Sequence, residues 1–169
     1  MCKILFLSFV FCLLRLYAVK ANIDLTFDDA ECLRSSDEYI KPGSCRFWVN
    51  DDSEYGTTLS SHLEVIKKFP EGVLVQANLN GLEMGEYTND IGLHVETDVC
   101  ELTSDPHNIA APIAKAINLG PNNCPPIPGV YGQDNYVIDD QEGLPESFPI
   151  GKYLLNITLL KEETVFIQV

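Results

Sequence analysis

Between Ile91 and Val99 the side chains change character at every step. Ile91, Leu93, Val95, Thr97 and Val99 alternate with Gly92, His94, Glu96 and Asp98. A repeat of two is the side-chain period of a β-strand with one face buried and one in water. The pattern recurs. Val73, Val75, Ala77 and Leu79 alternate with Leu74, Gln76 and Asn78, and Leu63 and Val65 with His62 and Glu64. Tyr153, Leu155, Ile157 and Leu159 share one face, Lys161-Glu162-Glu163-Thr164 reads as a turn, and Val165 to Val169 as a closing strand. Ile23 to Phe27 and Arg46 to Asn50 are two further candidate strands. Turn signals stand at Phe69-Pro70-Glu71-Gly72 and at Asn80-Gly81. Pro121 to Gly132 holds four prolines and two glycines and reads as an irregular crossing between sheets. One helix is predicted, capped at His107-Asn108 with Pro112 in its first turn and Ile109, Ile113, Ala116 and Ile117 along one side. Short strands with frequent turns predict a mainly β fold, a two-sheet antiparallel immunoglobulin-like sandwich with one short helix in a loop.

The first residues carry a different message. Lys3 precedes an almost unbroken apolar run from Ile4 to Leu14, and small residues follow at Ala18 and Ala21. That is the layout of a secretory signal peptide, with cleavage after Ala21 as the first choice and after Ala18 as the second. The rival, a membrane anchor, needs about 20 apolar residues, and this run is little more than half that. The expected organisation is a signal peptide over 1–21 and a single domain over 22–169, secreted and extracellular, with no membrane span. Loss of Lys3, Arg15 and Lys20, with no acid among the removed residues, takes the formal charge from −14 to about −17. Such a surface repels nucleic acid, whose binding needs clustered Lys and Arg.

Export also leaves four cysteines: Cys32, Cys45, Cys100 and Cys124. An even set in an oxidising compartment predicts two disulfides. Three connectivities are open, and loop length makes Cys32–Cys45 with Cys100–Cys124 the simplest. Without close Cys or His pairs, no metal site is expected.

No motif of a known chemistry is present: there is no Gly-x-Ser-x-Gly, no Walker loop, no His-Glu-x-x-His and no Gly-x-Gly-x-x-Gly. His62, His94 and His107 are scattered, and His94 falls on the solvent side of its strand. Asp139-Asp140-Gln141-Glu142-Gly143 lacks the ligand order of a calcium loop and reads as a solvated acidic turn. The chain is therefore expected to be no enzyme and to use no cofactor. Asn156-Ile157-Thr158 is a glycosylation sequon. With Tyr153, Leu155 and Ile157 facing inward, Asn156 faces out, which leaves both a sugar and a bare asparagine open.

The second half has an order of motifs that resembles a known family. Thr97-Asp98-Val99-Cys100-Glu101-Leu102 ends a strand at a cysteine, and after the helical segment comes Asn123-Cys124-Pro125. Gly129-Val130-Tyr131, a strand at Asn135 to Ile138, Leu144-Pro145, and Phe148-Pro149-Ile150-Gly151-Lys152-Tyr153 follow. This order resembles the ML (MD-2-related lipid-recognition) superfamily, in its ganglioside-activator-like branch, and is most similar to secreted arthropod members. It covers about residues 45 to 169, more closely after Asp98. The chain departs from that branch in having fewer cysteines than the ganglioside activator's disulfides require, and in a loop unusually rich in proline.

The resemblance implies two sheets packed as a cup around an apolar cavity that holds a lipid or other hydrophobic small molecule. Phe47, Trp48, Val75, Leu93, Val95, Tyr131, Tyr153 and Ile157 are the candidate lining residues. Phe47 or Trp48, with Tyr131, would guard the mouth. Phe47-Trp48-Val49 cannot all point inward from one strand, so one of the three must lie outside or at a rim. Inner-face residues of a sandwich are packing residues before they are anything else. The competing expectation is a secreted protein-binding module with a filled core and no cargo, whose partner would be a cell-surface receptor.

Overall fold

A computed structural model describes residues 26–104, 111–137 and 150–169. The expected signal peptide, most of the Ile23–Phe27 strand, the His107-Asn108 cap, the acidic turn at 139–143 and the Leu144-Pro145 and Phe148-Pro149 motifs lie outside these residues. The fold is mainly β and consists of two antiparallel sheets. The strands are β1 (Arg34–Ser35), β2 (Arg46–Asp52), β3 (Gly56–Val65), β4 (Leu74–Glu83), β5 (Glu86–Asp98), β6 (Gly129–Tyr131), β7 (Tyr153–Lys161) and β8 (Thr164–Gln168). The five-stranded sheet runs β1-β8-β7-β4-β5, and the three-stranded sheet runs β2-β3-β6. The helix α1 (Ala111–Ala116) and a 3-10 turn (Pro121–Asn123) join β5 to β6.

The alternation seen in the sequence becomes rows across the sheet. Val75 pairs with Leu159 and Thr97, Ala77 with Ile157 and Val95, Leu79 with Leu155 and Leu93, and Gly81 with Tyr153. Directly paired residues share a face, so these rows make up the inner surface. The β7–β8 hairpin forms as predicted, with Glu162 in the left-handed region at its turn (φ 53°).

Asn80-Gly81 is a correction. It is no turn: β4 continues through it, bonded to β7 on one side and β5 on the other, and reverses instead at Met84-Gly85 (φ 51° and 91°). Both turn residues have positive φ, as a two-residue hairpin matched to strand twist requires. A side chain at Gly81 would meet Ile91 Cγ2 at 3.5 Å and Tyr153 Cε1 at 3.6 Å. These are ordinary contact distances, and they place Ile91 and Tyr153 on either side of Gly81 on the inner face. Opposite the Leu79–Asn80 step, Gly92 (φ 77°) sits in a bulge that shifts the β4–β5 register. Of the expected Asn135–Ile138 strand, Ile138 lies outside the described residues, and among the rest one bridge forms, Tyr136 with Leu59.

The core is concentrated at one end. Val65 of β3 and Val73 before β4 are joined by one short turn, and around them Ile40, Phe69, Val75 and Phe166 are all but inaccessible. Tyr39, Phe69 and Phe166 form an aromatic trio, with centroids 4.8 Å apart for Phe69–Phe166 and Tyr39–Phe166. Edge-on and tilted rings at this spacing add to what their burial contributes. Both disulfides have the simplest connectivity: Cys32–Cys45 ties the segment before β1 to the start of β2, and Cys100–Cys124 clasps the segment bearing α1. Ile113, Ala116 and Ile117 pack inward from that segment as expected, joined by Ala114 and Leu119.

Candidate functional site

Burial is uneven along the inner face of the five-stranded sheet. At the aromatic end Val75, Ala77 and Leu159 are 1%, 2% and 5% exposed. Val95 and Ile157, in the same row as Ala77, are only partly buried, though packed on the core. In the next row Leu79 and Leu93 are half-buried and Leu155 is 42% exposed. Ile91 and Tyr153, flanking Gly81, are half-buried as well. Register places Leu93, Leu79 and Leu155 side by side on the inner surface. An apolar row in that position is normally covered by the opposite sheet.

The opposite sheet leaves this row incompletely covered. Its inner face carries Phe47, Val49, Leu59, Ser61 and Leu63, as the β2–β3 register requires. Phe47 packs against the core. Trp48 pairs with Ser60 on the other face, where the Arg46 guanidinium lies 5.8 Å from its ring. It therefore cannot guard a space between the sheets, and this part of the sequence-based expectation is corrected by register. That outer face is covered by a polar cluster: Asn50 Nδ2 donates to Ser60 Oγ at 2.7 Å and to Asn135 Oδ1 at 3.2 Å, and Thr58 Oγ1 donates to Asn135 Oδ1.

Tyr131 is also displaced from its expected role. It is 5% exposed, inside the core, paired with Leu63. Its hydroxyl donates to the Ile127 carbonyl and accepts from the Ile127 N–H, both at 3.0 Å. The hydroxyl thus fastens the proline-rich loop, and a buried phenol is satisfied by this arrangement. Of the candidate lining residues, Leu93, Val95, Tyr153 and Ile157 come together on the partly covered surface. Val75 belongs to the closed core, and Phe47 faces them from the second sheet. Leu79, Leu155 and Ile91 complete the surface. The alternation already marked them as inward, and their special status appears only in their exposure.

Residues 26–33 cross from one sheet to the other at this open end. The Phe27 N–H donates to Thr57 Oγ1 at 2.8 Å, and Lys152 Nζ donates to Asp28 Oδ2 at 2.6 Å. The hydrogen bond to Asp28 raises the Lys152 ammonium above the ordinary lysine value. Because Phe27 and Asp28 are neighbours, these bonds put the start of β3 and the start of β7 at the same end of the sandwich. Below it, Leu33 N–H joins the Gln168 carbonyl.

The outer face of the large sheet is polar around its middle rows. His94 is exposed there, its Nδ1 2.7 Å from Asn78 Oδ1 and its Nε2 3.1 Å from Asp90 Oδ2. Asn156 lies beside Asn78 on the same face, half-buried. Among the described residues no group of three His, Cys, Asp or Glu side chains could hold a metal ion. No helix among them is long and apolar enough to cross a membrane. A separate cleft of about 140 Å³ lies between the turn after β5 and α1, lined by Leu102, Thr103, Ala111, Ala114, Leu119 and Pro121 among others. None of the candidate lining residues borders it. Compared with families of known proteins, with curated proteins and with solved structures, the chain matches none.

Proposed function

We propose that this is a secreted, non-enzymatic binding protein that holds a lipid or other hydrophobic small molecule against the inner face of its large sheet. The observation that carries the reading is the row Leu93–Leu79–Leu155, apolar and in register on the inner face, yet incompletely covered. Leaving such a row in water forgoes about 25 cal/mol for each Å² that could be buried. A ligand with apolar chains recovers that energy and stabilises the folded state by mass action. The motif order from Thr97 to Ile157 and its resemblance to lipid-recognition proteins support the same reading. So do two disulfides, which suit an oxidising compartment. A sugar on Asn156 belongs to this reading too.

The test is a thermal-shift panel of single-chain amphiphiles, with native mass spectrometry of the secreted protein for cargo. Binding is expected to raise the melting temperature. Leu155→Asp, placed on exposed surface, should weaken binding by about tenfold or more while leaving the unliganded melting temperature within a few degrees. A panel without a single shift, together with a cargo-free native mass, would refute the reading.

One observation favours a second reading, a protein-binding module. Leu82 and Tyr87 are exposed and Met84 is fully so, all on the β4–β5 hairpin. In that case Met84→Ser would abolish partner capture at a cell surface and leave the amphiphile panel unchanged.

A further inference from the structure

We propose that the amphiphile held at the open end carries a cationic head group. This rests on the reading of the inner face as a cargo site and names the class of cargo. The chain is acidic as a whole, but its charge is unevenly placed. The open end is framed by residues 26–31, the β2–β3 turn, the β4–β5 turn and the start of β7. Exposed carboxylates come from Asp29, Asp51, Glu54, Glu83 and Glu86. Within 26–31, 51–57, 82–90 and 150–154 the single Lys or Arg is Lys152, and it is already engaged by Asp28 at 2.6 Å.

The closed end differs. Lys41, Lys67, Lys68 and Lys161 lie there among acids: Lys41 pairs with Glu64 at 2.7 Å, Lys67 pairs with Glu38, and Lys161 Nζ donates to the Glu71 carbonyl. Four of the eight basic residues among the described segments thus lie at the end where the core is filled and one at the open end, where carboxylates outnumber it.

An amphiphile lying along Leu93, Leu79 and Leu155 leaves its head at this acidic rim. A carboxylate or phosphate head would sit among like charges, whereas a quaternary or primary ammonium would sit among opposite ones. Attraction between exposed charges is screened beyond about 10 Å at 0.1 M salt, so the preference must shrink as salt rises.

The experiment compares dodecyltrimethylammonium, dodecyl maltoside and laurate, each below its micelle concentration, on the secreted, disulfide-bonded protein by titration calorimetry. At low salt the ammonium compound is expected to bind roughly tenfold tighter than the maltoside, and laurate more weakly than either. Its advantage should fall on adding salt. Two variants separate rim charge from net charge. Glu83→Gln with Glu86→Gln should remove most of the advantage. Glu162→Gln with Glu163→Gln, an equal change in charge at the closed end, should leave it in place. Equal effects of the two pairs would overturn the proposal. So would equal affinity for all three compounds, although the cargo reading would survive that result. If none of the three binds, the cargo reading itself falls and this proposal with it.

Discussion

Gly132 occupies a position that no other residue fits. Its φ is +120°, and a Cβ there would lie 2.2 Å from the Ser61 carbonyl oxygen and 2.7 Å from its carbon. Those are backbone atoms of β3 and cannot swing aside. The Gly132 N–H also donates to the Ile117 carbonyl, which joins β6 to the end of the helical segment. Gly132→Ala combines backbone strain with an unrelievable contact, and is expected to lower stability by about 2–4 kcal/mol, read as a lower urea midpoint. An unchanged midpoint would mean that β6 can draw away from β3 without loss. The sequence marks this glycine only as part of a proline-rich loop, because the atom that excludes a side chain lies about seventy residues away in the chain. Phe47 and Trp48 teach the same lesson. Alternation requires that they point to opposite faces, but which of them faces the core is decided by pairing with Ser61 and Ser60.

At the scale of elements, the hairpins are held by local chemistry that responds to pH. In the β2–β3 turn Asp52 Oδ1 accepts from the Tyr55 and Glu54 N–H groups at 2.9 and 2.8 Å, and these bonds hold its carboxyl below the ordinary aspartate value of 3.8. In the β5 bulge the Gly92 N–H does the same for Asp90, assisted by His94. A carboxyl with a depressed folded-state pKa contributes stability above its unfolded value, and the contribution is lost as pH falls through the folded one. Both turns should therefore loosen below the ordinary aspartate range and not above it. A carboxyl-carbon NMR titration should find Asp52 and Asp90 ionising below 3.8, and Asp52 at or above that value would show that its turn bonds are not made in solution. Strand periodicity was legible wherever one face meets the core, since burial of one face is what selects the alternation. The β7–β8 hairpin could be read this way, and the helix between the second cysteine pair from its own spacing, whereas the disulfide connectivity was one of three open pairings, singled out only by loop length. The Asn80-Gly81 turn was misread because the dipeptide is a local signal, and two flanking ladders outweigh it. The outline of the candidate site was legible as inward-facing residues. Its openness was not, since that depends on how completely one sheet covers the other.

For the whole molecule, the uneven cover has a kinetic consequence. The strands β4, β5 and β7 each run from a filled end, near Val75 and Leu159, to an open one, near Gly81 and Tyr153. A single strand thus belongs to two environments. Hydrogen exchange reports local opening where few apolar contacts oppose it, and global unfolding where many do. Amides at the Val75–Ala77 end of β4 should exchange only with the slowest, global class, and those beyond Leu79 several-fold to orders of magnitude faster within the same strand. A bound amphiphile should slow the second group and leave the first nearly unchanged. Uniform protection along β4 in the unliganded protein would contradict this. Each long strand of the large sheet would then serve as an internal clock, slow at its base and fast at its tip, and the residue at which the two rates part would mark how deeply the cargo sits.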